Sequence, residues 1–80
     1  MLRALIVDDE RLAREKIRTF LGARSDVTVV AEAANVREAV EAIEREQPDL
    51  VLLDIQMPGG DGFDVVDALH GREAVIFVTA

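Results

Sequence analysis

Three consecutive acids, Asp8-Asp9-Glu10, and one carboxylate in an apolar setting, Asp54, are the residues of this chain best suited to chemistry. Each group follows a fully apolar run, Ala4-Leu5-Ile6-Val7 before Asp8 and Leu50-Val51-Leu52-Leu53 before Asp54. Apolar runs without alternation read as strands buried on both faces of a parallel sheet, and in open α/β sheets ligands bind at the carboxyl ends of the strands. Neighbouring strands lie about 4.8 Å apart, so carboxylates at adjacent strand ends can meet around one ion. Clustered carboxylates repel unless a cation intervenes. Mg²⁺ suits such a place, since it takes one or two protein carboxylates plus waters and phosphate oxygens. An aspartate placed there can also attack phosphorus and become an aspartyl-phosphate, with the metal neutralising charge on the incoming group. Plainer readings exist for each residue. Asp54 alone is an acid ending a strand before a Pro- and Gly-rich loop. Asp8 or Asp9 can cap the following helix, although a cap needs one acid and three are present. Thr79, at the end of Ala74-Val75-Ile76-Phe77-Val78, is by itself an ordinary β-branched strand residue.

The elements that must position these groups follow from periodicity. From Arg11 the pattern becomes helical, with Leu12, Ala13, Ile17, Phe20 and Leu21 on one stripe, Arg11, Arg14, Glu15, Lys16 and Arg18 largely between them, and Gly22 as a stop. Val27-Thr28-Val29-Val30-Ala31 is a second strand. Asn35 with Glu38 three residues on is a variant of the capping box, opening a helix whose buried stripe is Val36, Ala39, Val40 and Ile43 and which Pro48 ends. After Asp54 and its loop, Asp61 is a natural N-cap for a third helix with Phe63, Val66 and Leu69 on its stripe and Val65 flanking, closed by His70-Gly71. Ala74 to Val78 is a fourth buried strand. The order β-α-β-α-β-α-β, with strands starting about 23 residues apart, implies a parallel sheet with right-handed crossovers. Asp8, Asp9, Asp54 and Thr79 then share one edge of that sheet.

Composition narrows the chemistry. Eighty residues make at most one small domain. The absence of cysteine excludes disulfides and thiolate zinc sites, and a single histidine, His70, excludes an imidazole cluster, which leaves oxygen ligands for Mg²⁺, Ca²⁺ or Mn²⁺. A formal net charge of −7 argues against nucleic-acid binding by this segment. No apolar run approaches the roughly 20 residues of a membrane span, and Met1-Leu2-Arg3 enters a strand directly without a signal-peptide pattern, so cytoplasmic residence is expected.

The chain resembles the receiver domain of two-component response regulators. The resemblance is carried by Leu5-Ile6-Val7-Asp8-Asp9-Glu10, by Asp54-Ile55-Gln56-Met57-Pro58 with Asp61-Gly62, and by Val78-Thr79-Ala80, in order and at family spacing. Val7-Asp8-Asp9-Glu10-Arg11-Leu12-Ala13-Arg14 further resembles the branch whose output is a LytTR-type DNA-binding domain. The resemblance implies a flavodoxin-like, doubly wound sheet of strand order 2-1-3-4-5. Residues 1–80 are then a partial domain with strands one to four and helices one to three, ending before the family's fifth strand and its lysine. It implies Asp54 as phosphoacceptor, Asp9 as direct metal ligand and Asp8 as the acid holding metal-bound water. The backbone carbonyl of Gln56 completes the metal shell, Mg²⁺ is the ion and Thr79 is the switch hydroxyl. The implied partners are a sensor histidine kinase as phosphodonor and DNA through an output domain outside this segment. The implied role is signalling rather than enzymatic.

Two departures stand out. Gly60 occupies a place where the family more often has a larger apolar residue, and Lys16, the only lysine, lies in the first helix. Rival readings are weaker. A haloacid-dehalogenase-type phosphatase wants a second acid two residues after the nucleophile, and that position is Gln56. A nucleotide-binding module wants a Gly-rich turn after the first strand, and that turn is Asp8-Asp9-Glu10. A degenerate receiver acting as a phosphate-independent interaction module is at odds with the acids and Thr79 being in place. With no fifth strand beside it, Ala74 to Val78 is expected to form an unprotected edge, through which a second copy would pair.

Overall fold

Uninterrupted apolar runs become the sheet. The computed structural model describes the backbone of residues 1–54, 56–57, 60–69, 71 and 73–78, and the side chains of 1–54, 64–69, 71 and 73–78. In chain order the elements are β1 (Leu2–Val7), α1 (Arg11–Gly22), β2 (Val27–Ala33), α2 (Val36–Glu46), β3 (Leu50–Asp54), β4 (Gln56–Met57), β5 (Gly60–Asp61), α3 (Gly62–Asp67) and β6 (Ala74–Val78). The four long strands form one parallel sheet in the order β2-β1-β3-β6, the flavodoxin-like arrangement with the two acid-bearing strands at its centre. The stretch after Asp54, expected to be only a loop, contains a two-residue antiparallel pair, Gln56 with Asp61 and Met57 with Gly60.

Alternation along the central strands divides two cores. Leu5, Val7, Val51 and Leu53 face α2 and α3, where Ala39, Ala42, Ile43 and Val65 close over them. Ala4, Ile6, Leu50 and Leu52 face the other way, with Leu21 of α1. Full burial of one such Leu, Ile or Val side chain contributes about 1.5–3 kcal/mol, so these central strands carry much of the fold's stability. Far from the acids, Asp49 ties the strand starts together. Its carboxylate accepts the Arg3 N–H at 2.9 Å, its own N–H donates to the Arg3 carbonyl at 2.8 Å, and its carbonyl accepts the Ala74 N–H at 2.9 Å.

Three expectations are corrected. Leu12 and Phe20, placed on the buried stripe of α1, are each 69% exposed. α1 packs mainly on β1 and β2, so the β6 side of that face is left open while Leu50 and Leu52 of β3 stay buried. Phe20, Leu50, Leu52 and Ile76 line an open apolar groove of about 400 Å³ there. In α3 the central residue is Val65, fully buried, while Val66 and Leu69 are half-buried. α3 also ends at Asp67 rather than at His70-Gly71, because Ala68 and Leu69 donate back three residues, to the Val65 and Val66 carbonyls, and tighten the chain out of the α-helix. His70 lies outside the described residues, and Gly71 takes φ 86°, a left-handed turn conformation that favours glycine, just before β6.

The Asn35 prediction stands, with one adjustment. The Asn35 side chain accepts the Glu38 N–H at 2.8 Å, but the Glu38 carboxylate reaches the N–H of Ala34, one residue before the cap, at 2.9 Å. At the other end of α2, Gln47 adopts φ 46° and donates to the Ile43 carbonyl, turning the chain into Pro48.

β2 is longer than expected and carries an irregularity. Ala4 pairs with Val29 but Leu5 pairs with Ala31, leaving Val30 as an extra residue. The slip reverses which positions of β2 share a face. Val27 and Val29 join the core under α1, whereas Ala31 and Ala33 join the core under α2. Glu32, between those two alanines, is thereby on the α1 side.

Candidate functional site

Val7 pairs with Leu53, so Asp8 and Asp54 leave the sheet from adjacent central strands at the same edge. Asp54 is the last residue of β3 and pairs with Val78 at the end of β6. Asp8 continues the β1 ladder by one bond, its N–H donating to the Ala33 carbonyl at 3.0 Å. Asp8 is only 6% exposed, Asp54 is partly buried and Asp9 is exposed. One carboxylate oxygen from each of these three lies within 4.8 Å of the others. The sequence places these acids on one edge, and the structure brings them together.

Neither Asp8 nor Asp9 caps α1. The capping position is Glu10, in an extended conformation, and it makes no side-chain capping bond. The Asp8 carboxylate instead accepts the Glu10 N–H at 2.9 Å, a local bond that fixes the turn and leaves the helix end without a side-chain cap. The Asp8 carboxyl is held above its usual range, chiefly by burial. The Glu10 N–H opposes this, the charges of Asp54 and Asp9 add to it, and Arg14 offsets part of it.

This donor set fits a hard divalent cation. It offers oxygens only, on three converging carboxylates, and a cation would relieve the burial and mutual repulsion carried by Asp8. Beside the acids, Leu12, Ala13 and Ile17 of α1 and Val78 of β6 wall a cavity of about 440 Å³ into which Asp8 and Asp54 open. Lys16 also lines this cavity, a placement that its position between the apolar stripe residues of α1 did not suggest. Thr79 follows Val78 directly but lies outside the described residues. For Gln56 only the backbone is described, in β4 two residues beyond Asp54.

Sequence reasoning missed a second layer. Arg14 reads as a solvated residue of α1, yet its side chain is only 17% exposed. Its Nη1 donates to the Asp8 carbonyl at 2.7 Å and its Nε to Glu32 at 3.2 Å. Arg18 Nε donates to the other oxygen of Glu32 at 2.6 Å. The available signal was the i, i+4 spacing of Arg14 and Arg18, which puts both on one helix face.

A flavodoxin-like sheet with three carboxylates gathered at its central strand ends defines the class of protein, an α/β module with an acidic site at the carboxyl edge of its sheet. The model of the response regulator receiver domain matches residues 4–80, and the chain belongs to that family. It is 44% identical over 82 residues to the transcriptional regulatory protein BtsR of Escherichia coli strain K12, and 37% identical over 83 residues to the sensory transduction protein LytT of Bacillus anthracis. Each alignment covers 100% of this chain and 34% of the relative, so the chain spans about a third of the length of these curated relatives. Among solved structures it is similar to the response regulator domain of Thermotoga maritima CheB, with a TM-score of 0.91, 30% identity, and coverage of 99% of this chain and 60% of that one. A LuxR-family response regulator from Aurantimonas sp. SI85-9A1 gives a TM-score of 0.92 at 30% identity, covering 99% and 59%. Among the described residues no helix is long and apolar enough to cross a membrane.

Proposed function

We propose that residues 1–80 are the strand-one-to-four part of a phosphoaccepting receiver, with Asp54 as the phosphoacceptor. The observation that carries this reading is the convergence of Asp8, Asp9 and Asp54 within 4.8 Å at the carboxyl ends of the two central strands. Asp9 and Asp54 would hold Mg²⁺ directly by their carboxylates and Asp8 through metal-bound water, with the Gln56 backbone carbonyl as a further ligand. When bound, the ion neutralises negative charge as a phosphoryl group approaches.

In the transfer, an Asp54 carboxylate oxygen attacks phosphorus of a phosphohistidine on a sensor kinase. The Asp54 O–P bond forms, the P–N bond breaks, and the imidazole leaves with the electron pair and takes up a proton. Asp54 is suited to this because β3 is buried on both faces and cannot yield when the group arrives. Thr79 then donates its hydroxyl to the new phosphate oxygens, which biases the β6 end toward a second arrangement. The output is DNA binding by a domain elsewhere in the protein, as the transcriptional name of BtsR suggests, and the site of action is the cytoplasm.

The test is Asp54→Asn in the full-length protein. Acid-labile labelling by acetyl phosphate should disappear. Labelling that persists without moving to another residue would overturn the assignment.

We also propose that the isolated segment self-associates along β6. Among the described strands β6 is hydrogen-bonded only to β3, and Ile76 and Phe77 are exposed. Light scattering on residues 1–80 should show more than a monomer. A monomer whose Val75 to Val78 amides exchange slowly would refute the pairing.

A further inference from the structure

We propose that Arg14 is a positioning residue for the cation site, an inference that rests on reading Asp8, Asp9 and Asp54 as that site. The carbonyl that Arg14 holds belongs to the peptide joining Asp8 to Asp9. The orientation of this one peptide plane fixes how the two acids diverge from the end of β1. Three bonds hold the turn around it, and only the last falls on the peptide itself. The Asp8 N–H is on Ala33 of β2, the Asp8 carboxylate is on the Glu10 N–H, and the Asp8 carbonyl is on Arg14 at 2.7 Å. The first two are made by the turn and the sheet themselves. The third comes from a long, flexible side chain whose Nε Glu32 holds.

Glu32 is in turn held by Arg18, and it reaches both arginines because the register slip at Val30 sets it on the α1 side of the sheet. Arg14 thus bridges α1, the end of β2 and the acid turn. A planar guanidinium can hold a carbonyl and a carboxylate in fixed relative directions, whereas an ammonium is a point donor.

The charge of Arg14 makes the role testable. A cation beside a cation site opposes metal binding through space. If Arg14 acted only by its charge, removing it would tighten the ion. If Arg14 positions the peptide, removing it loosens the ion, because groups that orient metal ligands typically cost about tenfold or more in affinity when lost. The two readings have opposite signs.

The experiment is a Mn²⁺ titration followed by water-proton relaxation, with Mg²⁺ competition, on full-length wild type, Arg14→Gln and Arg14→Lys. Metal-free melting and far-UV circular dichroism establish that each variant is folded. Arg14→Gln should weaken both ions about tenfold, and Arg14→Lys, which keeps the charge, should also bind more weakly than wild type. Equal or tighter binding by Arg14→Gln overturns the positioning role while leaving the cation site intact. Should Arg14→Gln not fold, Arg14→Lys decides, since unchanged affinity there overturns the role. A wild-type protein that binds neither ion removes the cation reading itself.

Discussion

Two strand-to-helix junctions lie side by side on one edge of the sheet, β1 into α1 and β2 into α2, and they treat the helix end in opposite ways. After β2, Asn35 caps α2 through its side chain, and Glu38 reaches back to the Ala34 N–H. Every polar group at that turn serves the helix. After β1, three acids are available and none caps α1. The Asp8 carboxylate is spent on its own turn, and Asp8, Asp9 and Asp54 crowd together where their charges oppose one another. A junction that forgoes a cap worth about 1 kcal/mol and tolerates repulsion is organised around something other than stability of the metal-free fold.

This contrast can be broken at its strongest point with Asp9→Ala. On the proposed reading Mg²⁺ binds at the millimolar level, about 4 kcal/mol, and loss of the exposed Asp9 carboxylate should weaken it by tenfold or more, about 1.4 kcal/mol. Asn35→Ala should leave it unchanged. Calorimetric or chemical-shift titration of both variants checks this, and equal effects at the two junctions would erase the distinction.

On stability the order reverses. Asn35→Ala should destabilise by about 1 kcal/mol, since it leaves a helix N–H without its partner. Denaturant unfolding without metal measures this. No comparable loss should follow at the β1 junction, because no side-chain cap exists there to remove.

The smallest effect sharpens the comparison by its sign. Asp8 binds its proton more tightly in the metal-free folded protein than in the unfolded chain, where its ordinary value is 3.8. Its contribution is therefore fully favourable below about pH 3.8 and is lost as pH rises through the higher folded value. Asp8→Asn keeps an oxygen to accept the Glu10 N–H but cannot ionise. In EDTA it should melt slightly above wild type at pH 7, with the advantage fading as pH falls through the higher folded value and gone below about 3.8, and added Mg²⁺ should reverse the ranking. A melting difference that is flat with pH would show that Asp8 bears no charge penalty.

The parts legible in the sequence were those encoded locally. Unbroken apolar runs announced the four long strands, Asn35 and Glu38 announced the α2 cap, and the acids stood at strand ends by spacing alone. What escaped depends on how far one element extends over another. Periodicity identified an apolar stripe on α1 but could not show that β3 and β6 reach past it, so Leu12 and Phe20 were placed inside. Arg14 was read only as lying between the stripe residues of α1, and Glu32 only as leading out of the second strand, because their meeting requires the slip at Val30, which local β pattern does not reveal. Val65 was ranked behind Phe63 and Val66 because α3 is too short for its stripe to declare a centre.

That slip also bears on which changes in chain length β2 can absorb. The strand sets seven residues against six of β1. In an ordinary strand, losing one residue turns everything beyond it onto the opposite face. Here deletion of Val30 would restore the simple ladder, with Val29 still beside Ala4 and Ala31 still beside Leu5, and Glu32 would keep its side. β2 thus carries a spare residue, and a lineage could drop that codon without disconnecting the arginines from the acid turn, whereas loss of Glu32 or Ala33 from the same strand would offer no such escape.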